Sequence, residues 1–301
     1  MPTNMRVFER GWLSSNNILF HDNEQRATLV DTGYVSHGEQ THALVQGALG
    51  GRRLERIINT HLHSDHCGGN ALLQQRFGAR VLIPPGAADA VTRWDDDVLT
   101  FRATGQRCAR FTHDGLVLPG QTLTLGGDAW KVLAAPGHDP HSIVLWNESA
   151  RVLISADALW ENGFGAIFPE IEGESGFAEQ RSILALIEQL NPRWVIPGHG
   201  APFTELGTAL DRARARLAAL EAKPERNARQ VAKVLTKFIL LDVRAIALDA
   251  LVRHLESARY FRLVNDRYFR QPFEVFIART VDELVTMGAA SLVNGRVENR
   301  D

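Results

Sequence analysis

Cysteine is nearly absent: Cys67 and Cys108 are the two thiols in 301 residues. A disulfide framework is therefore excluded, burial of apolar surface has to hold the fold, and a reducing compartment fits. No apolar run approaches the roughly 18 residues needed to cross a bilayer. The opening Met1-Pro2-Thr3-Asn4-Met5-Arg6 also lacks the apolar segment of a secretion signal, so a cytoplasmic protein without membrane contact is expected. Charge of either sign is not in excess. The 33 Lys+Arg against 35 Asp+Glu give −2 with His neutral, which supplies no field for nonspecific attraction to nucleic acid or anionic lipid. Internal repeats are missing too. What remains is 45% apolar and 23% charged, a globular chain long enough for one large domain or two smaller ones.

Over the first two hundred residues, short β-branched runs alternate with helical patterns, the punctuation of an α/β or α+β chain. Strands are expected at 18–21, 27–31, 56–59, 80–83, 123–125, 130–134, 143–146, 151–155 and 194–196, and helices at 36–49, 69–77, 85–92 and 176–190. In the last helix Ile183, Leu186, Ile187 and Leu190 recur on one face. After Pro202 the pattern turns helical. Thr204 can cap a helix to about residue 222, Pro224 interrupts it, and further helices are expected at 228–240, 244–256 and 281–288. Val293-Asn294-Gly295-Arg296 reads as a hairpin with a type I′ turn, a winged-helix-like ending. The expected division is 1–203 and 204–301. Residues 201–301 carry 17 basic and 13 acidic groups against 16 and 22 in residues 1–200, so the second part is mildly positive.

The densest chemistry is His61-Leu62-His63-Ser64-Asp65-His66, directly after the strand-like Arg56-Ile57-Ile58-Asn59. With 11 histidines in the whole chain, three imidazoles and a carboxylate in six residues argue against a merely solvated loop. These donors suit Zn2+, and also Fe or Mn, and a loop at a strand end lets alternate side chains converge on one point. Further donors sit beyond other apolar runs: His138 after Ala135-Pro136-Gly137, Asp157 after 151–155, and His199 after Pro197-Gly198. Each alone reads as a loop residue. Together with the first cluster they read as one site.

In this order the residues resemble the metallo-β-lactamase superfamily: Asp31 in Leu29-Val30-Asp31-Thr32-Gly33, then H-x-H-x-D-H at 61–66, then His138, Asp157 and His199. The resemblance spans about residues 15–205. It implies an α+β fold, an αββα sandwich with the site along one edge and a mainly helical C-terminal extension. It puts one metal on His61, His63 and His138, a second on Asp65, His66 and His199, and Asp157 between them. Two divalent ions per chain follow, zinc foremost and iron or manganese as alternatives, with a bridging hydroxide as nucleophile. Asp65 would relay a proton to the leaving group, and Asp31 would orient the ligand loop by hydrogen bonds. Asp139 and His141 are further candidates beside the ligands. Thr60-His61 and Cys67-Gly68-Gly69-Asn70 resemble the glyoxalase II branch, whose glycines permit close backbone packing near the metals. The third motif, Pro136-Gly137-His138-Asp139-Pro140-His141-Ser142, departs from its Thr-x-Gly-His, and no glutathione-binding set is recognisable in the C-terminal segment. The expected substrate is accordingly a small-molecule thioester, ester or lactone.

Three other readings stand beside it. Arg212, Arg214 and Arg216 with the hairpin would suit a nucleic-acid phosphodiesterase of the endoribonuclease kind, although alternate arginines on a helix do not share a face. A mononuclear iron persulfide dioxygenase shares the resemblance, and so does a non-enzymatic metal-containing regulator. Between the motifs, Trp160, Phe164 and Phe168 lie in a glycine-broken aromatic loop fit to wall a substrate pocket. The insertion from Trp94-Asp95-Asp96-Asp97 to Phe111 is a second candidate lid, its three carboxylates reading as a turn or helix start. The C-terminal helices are expected to cover the site's mouth, to form a homodimer surface, or both. The triplets Tyr260-Phe261-Arg262 and Tyr268-Phe269-Arg270 read as core plus rim.

Overall fold

The computed structural model describes residues 2–300. Eleven strands sort into two packed sheets. One holds β1 (Met5–Phe8), β2 (Asn17–His21), β3 (Arg26–Val30), β4 (Arg53–Ile58), β5 (Arg80–Ile83) and β6 (Gly115–Leu116) in that spatial order. The other holds β7 (Thr122–Leu125), β8 (Asp128–Ala134), β9 (Ile143–Asn147), β10 (Val152–Ala156) and β11 (Trp194–Pro197), again in order. Successive side chains leave opposite faces of a strand. Thus Ile58, Ile143, Leu145 and Ile154 meet between the sheets with Phe20, Trp130 and Ile196, while Ile57, Val144, Trp146 and Leu153 face outward. Each such large apolar side chain, fully buried, contributes roughly 1.5–3 kcal/mol.

Helices close the outer faces. On the first sheet lie α1 (Gly38–Ala48), the single turn α2 (Ser64–Cys67) and α3 (Asn70–Phe77), followed by the short α4 (Ala88–Arg93) and α5 (Phe101–Thr104) of the insertion. After α6 (Pro169–Glu172), the second sheet is covered by α7 (Phe177–Leu190) and α8 (Leu206–Ala222). The layers are those of the expected αββα sandwich. The pairs β3·β4, β4·β5 and β10·β11 are parallel, so each needs a crossover, which leaves strand ends and their loops gathered along one edge.

The rest of the chain is α9 (Pro224–Val243), β12 (Ala245–Ala247), α10 (Leu248–Ser257), α11 (Arg259–Val264), α12 (Phe273–Thr286), β13 (Ala290–Val293) and β14 (Arg296–Asn299), packed round Leu235, Leu255, Tyr260, Phe261, Phe276 and Ile277 in a cluster that Ala103, Ala166 and Ile171 also join. Both aromatic residues of the first triplet are core. The hairpin forms as expected, with Asn294 at φ 48° and Gly295 at φ 73°, the two left-handed positions of a type I′ turn. The helix expected at 244–256 needs correction. Arg244, at φ 65°, ends α9, and Ala245–Ala247 pairs with β14 before α10 begins at Leu248. Three strand residues carry too little alternation to show in a sequence. Pro224 does not merely interrupt a helix; it occupies the first turn of the next, where its missing N–H costs nothing.

Candidate metal centre

Every expected donor lies beyond a strand end, and the local backbone explains its aim. Asp31 follows β3 at φ 55°, a left-handed conformation that Asp tolerates better than most residues. His61 and His63 follow β4. Asp65 and His66 stand on α2, a helical turn where the sequence reads as loop. Close approach demands the glycines behind it: a Cβ on Gly68 would sit 2.5 Å from both Ser64 O and Val35 N, and one on Gly69 2.5 Å from Thr32 O. Asp157 follows Ala156, which is buried at φ 46° beside a register shift between β10 and β11. Holding alanine left-handed costs roughly 1–2 kcal/mol. Such strain is characteristic of functional positions.

The donors converge in two groups sharing a border. Ligand atoms of His61, His63 and His138 lie within 4.8 Å of one another, as do those of Asp65, His66 and His199, and those of His61, His66 and Asp157. Asp157 faces both ways: Oδ1 lies 3.4 Å from His66 Nε2 and 3.9 Å from His199 Nε2, and Oδ2 lies 3.4 Å from His138 Nε2. Asp65 Oδ2 is 3.0 Å from His199 Nε2. Asp31 Oδ2 accepts from His66 Nδ1 at 2.8 Å and from Thr60 Oγ1 at 2.7 Å, and its Oδ1 accepts from Thr60 N at 2.9 Å. That fixes the ring with Nε2 turned inward.

The residues fit metal ions on this structure's own terms. His138 Nδ1–H donates to Ala166 O, so the neutral ring's Nε2 carries a lone pair, yet it points at His63 Nδ1 from 2.8 Å. His61 Nε2 approaches the same atom at 3.1 Å. His66 Nε2 is buried and has no hydrogen-bond partner among the described residues. Buried polar atoms are normally paired, and lone pairs aimed at one point call for a cation. Electrostatics prepares the ligand forms. Burial, then the neighbouring His66, His63 and His138, push His61 well below the ordinary histidine range. Burial likewise brings His63 and His138 each to about 4. Burial works against the ionised Asp157, but His66 and His199 outweigh it and hold the carboxyl well below the usual range. For His66, burial is outweighed by Asp157, Asp31 and Asp65, and the ring is raised well above its ordinary value. A cation binding there displaces that proton.

Around this floor lies a cavity of about 550 Å3. Trp160, Phe164 and Phe168 line it, with Phe238 and Leu241 of α9 and Leu284 of α12 on the far wall. Phe168 packs its edge against His63 at 5.0 Å between ring centres, and Trp160 Nε1 donates to Asp157 Oδ1 at 3.3 Å. Asp139 Oδ2 lies 3.7 Å from His63 Nε2. The exposed His141 turns its ring onto Gly86 at the surface, and its backbone N–H donates to Asp139 Oδ1 at 2.8 Å. The Asp95-Asp96-Asp97 run forms a turn: Asp95 Oδ1 accepts from Val98 N, and Asp97 pairs with Arg102.

Sequence reasoning misses two features. Trp12 stacks on His199, with 5.3 Å between centres and 12° between planes. Ser14-Ser15-Asn16-Asn17, polar throughout, is wholly buried. Ser15 N donates to Asp65 O, Asn16 N to Gly198 O, and Asn16 Nδ2 to Pro197 O and Gly200 O, tying α2 to the His199 loop. No pattern in the sequence marks a polar strip as interior.

Comparison with known proteins agrees. The family profile described as "Metallo-beta-lactamase superfamily" matches residues 10–199. A curated hydroxyacylglutathione hydrolase from Acidiphilium cryptum (strain JF-5) is 30% identical over 230 residues, covering 74% of this chain and 83% of that protein. The crystal structure of a beta-lactamase domain protein from Burkholderia ambifaria matches with TM-score 0.59 at 20% identity, over 99% of this chain and 92% of that one. TTHA1623, solved in a di-iron-bound form, matches with TM-score 0.52 at 25% identity over 69% of this chain and 98% of its own. Ligand geometry, strand order and these likenesses converge, and the chain belongs to the metallo-beta-lactamase superfamily as one of its metallo-hydrolases.

Proposed function

We propose that the chain is a dinuclear hydrolase of thioesters or related esters, with His61, His63 and His138 holding one divalent ion, Asp65, His66 and His199 the other, and Asp157 between them. The observation that carries this is the divided Asp157 carboxylate, one oxygen toward each histidine group. When bound, the pair would supply a hydroxide at neutral pH and polarise the substrate carbonyl. The chain's own residues do the rest. Asp31 holds His66 in its tautomer, and Trp160 Nε1 restrains Asp157. Asp65 would relay a proton to the leaving group. The aromatic walls exclude water, which strengthens every polar interaction within. The relative named hydroxyacylglutathione hydrolase supports a thioester. Zinc is the proposed metal, with iron or manganese next, and the di-iron neighbour keeps iron in view.

The other readings gain less support. Arg212 reaches Asn162, Arg214 pairs with Glu188, and Arg216 donates to Phe164 O, so two of the arginines hold the 160–164 loop and the third holds α7, rather than forming one nucleic-acid face. Two donor groups argue against a mononuclear dioxygenase. We infer further that the winged-helix-like unit expected within residues 204–301 begins at α9, since α9, β12, α10, α12, β13 and β14 follow that order and the sheet runs β12-β14-β13, while α8 packs on the second sheet. Among the described residues, no helix is long and apolar enough to cross a membrane. The test is elemental analysis of protein purified without chelator, with thioester turnover measured in parallel. Two equivalents per chain and turnover abolished by chelator are expected. One equivalent of iron, or full turnover without metal, would overturn the reading.

A further inference from the structure

We propose that a second chamber beside the metal cavity is an anion-binding site, and that it takes a phosphate or carboxylate carried by the thiol half of the substrate. The assignment to the thiol half rests on the thioester reading above. The chamber has a volume of about 690 Å3 and is lined by Arg216, Arg226, Arg229 and Lys233. Arg226, Arg229 and Lys233 are three and four residues apart on α9 and so share a face.

Negative charge falls short of balancing them. Glu225 also lines the chamber, and Glu283 is shared, 3.4 Å from Arg229 Nε and 3.6 Å from Lys233 Nζ. Four cations thus face two carboxylates. Arg216 spends its Nη1 on a neutral carbonyl, Phe164 O, at 2.7 Å. Arg229 sits over the Phe269 ring with its Cζ 3.9 Å from the ring centre, and its Nη1 is buried with no hydrogen-bond partner among the described residues. A guanidinium paired only through a shared carboxylate, with a buried Nη1 unsatisfied, is costly unless a further anion completes its surroundings. Arginine forks match carboxylates and phosphates two bonds at a time.

The chamber adjoins the reaction cavity. Asn162, Arg216, Gln230 and Lys233 line both spaces. In this proposal one ligand places its ester over the metal floor, its acyl group among Phe168, Phe238 and Leu241, and its anionic end among the arginines. On hydrolysis water's oxygen bonds to the acyl carbon, the C–S bond breaks, and the thiol leaves with a proton. Its anion then remains paired until release.

Calorimetric titration of the metal-loaded protein with coenzyme A, glutathione and pantetheine tests this, because pantetheine is an uncharged thiol that carries the thiol arm of coenzyme A without its phosphates. Coenzyme A or glutathione should bind roughly tenfold or more tightly than pantetheine and weaken with added salt. The tighter of the two identifies phosphate or carboxylate as the recognised group. R226E, at an exposed position, should remove most of that preference, and R229Q should do the same, with thermal unfolding as the folding control. Equal affinity for pantetheine, no binding of either anion, or a preference that survives both substitutions would overturn the proposal. Anion preference without turnover of any thioester would instead sink the thioester reading and leave the anion site standing.

Discussion

The cavity floor, made by residues 31–199, and its far wall, made by α9 and α12, face the same space but are held by different forces. On the floor directed bonds pin side chains one by one: Asp31 to His66 and Thr60, Ala166 O to His138, Trp160 to Asp157. Behind them Asn59 and Asn70 bond to each other, and Asn59 also to His66 O. The wall offers Phe238, Leu241 and Leu284, which are placed by packing. Directed bonds fix positions to fractions of an ångström, whereas packing fixes volume and tolerates exchange of similar shapes. The floor is therefore suited to set the reaction and the wall to choose among substrates.

The comparison is broken most severely at Asp157. Asp157→Ala should release at least one metal equivalent and lower the thioester hydrolysis rate by about 10³ or more, beyond the 10²–10³ typical of losing one reacting-centre donor. Elemental analysis with initial rates checks it, and a variant with full metal and full rate would deny the bridging assignment. A smaller effect is expected at Asp31. Asp31→Asn keeps a residue that accepts the left-handed φ of 55° but weakens the hold on His66. Metal affinity should fall by roughly 10–100-fold, the usual cost of losing a ligand's supporting partner. Competition with a chromophoric chelator measures this, and unchanged affinity would show that His66 is oriented by other means.

How much of this was legible follows the same division. The floor could be read because metal chemistry restricts residue type: His61, His63, Asp65, His66, His138, Asp157 and His199 are few, polar and placed just after apolar strands. The strands could be read because Ile57 and Ile58, or Leu153 and Ile154, are continuous apolar pairs buried on both faces, whereas the sandwich was implied by the resemblance that the donors carry and not by the apolar pattern. The wall could not, since Phe238 and Leu241 obey the same helical spacing as any core residue. Nor could the buried Ser14-Ser15-Asn16-Asn17 strip, whose composition is that of a surface turn. The chamber arginines lay in plain view, but their convergence depends on α8 and α9 packing side by side, a long-range fact that local pattern does not contain.

Trp12 stands between the two regions and gives the smallest and most discriminating effect. Its ring stacks on His199 and meets Trp160 edge-on at 5.4 Å, yet it is 57% exposed. An exposed side chain that bears little of the core should change stability by no more than about 0.5 kcal/mol when truncated. Aromatic contacts of this kind contribute roughly 0.5–1.5 kcal/mol, so Trp12→Ala should raise KM by up to about tenfold if the indole serves as a lip for substrate. Under that assignment kcat and metal content stay near wild type. Loss of a metal equivalent would instead place Trp12 with the floor, as the group that keeps His199 in register. The ratio of the KM effect to the metal effect thus locates where the rigid floor ends and the adaptable wall begins.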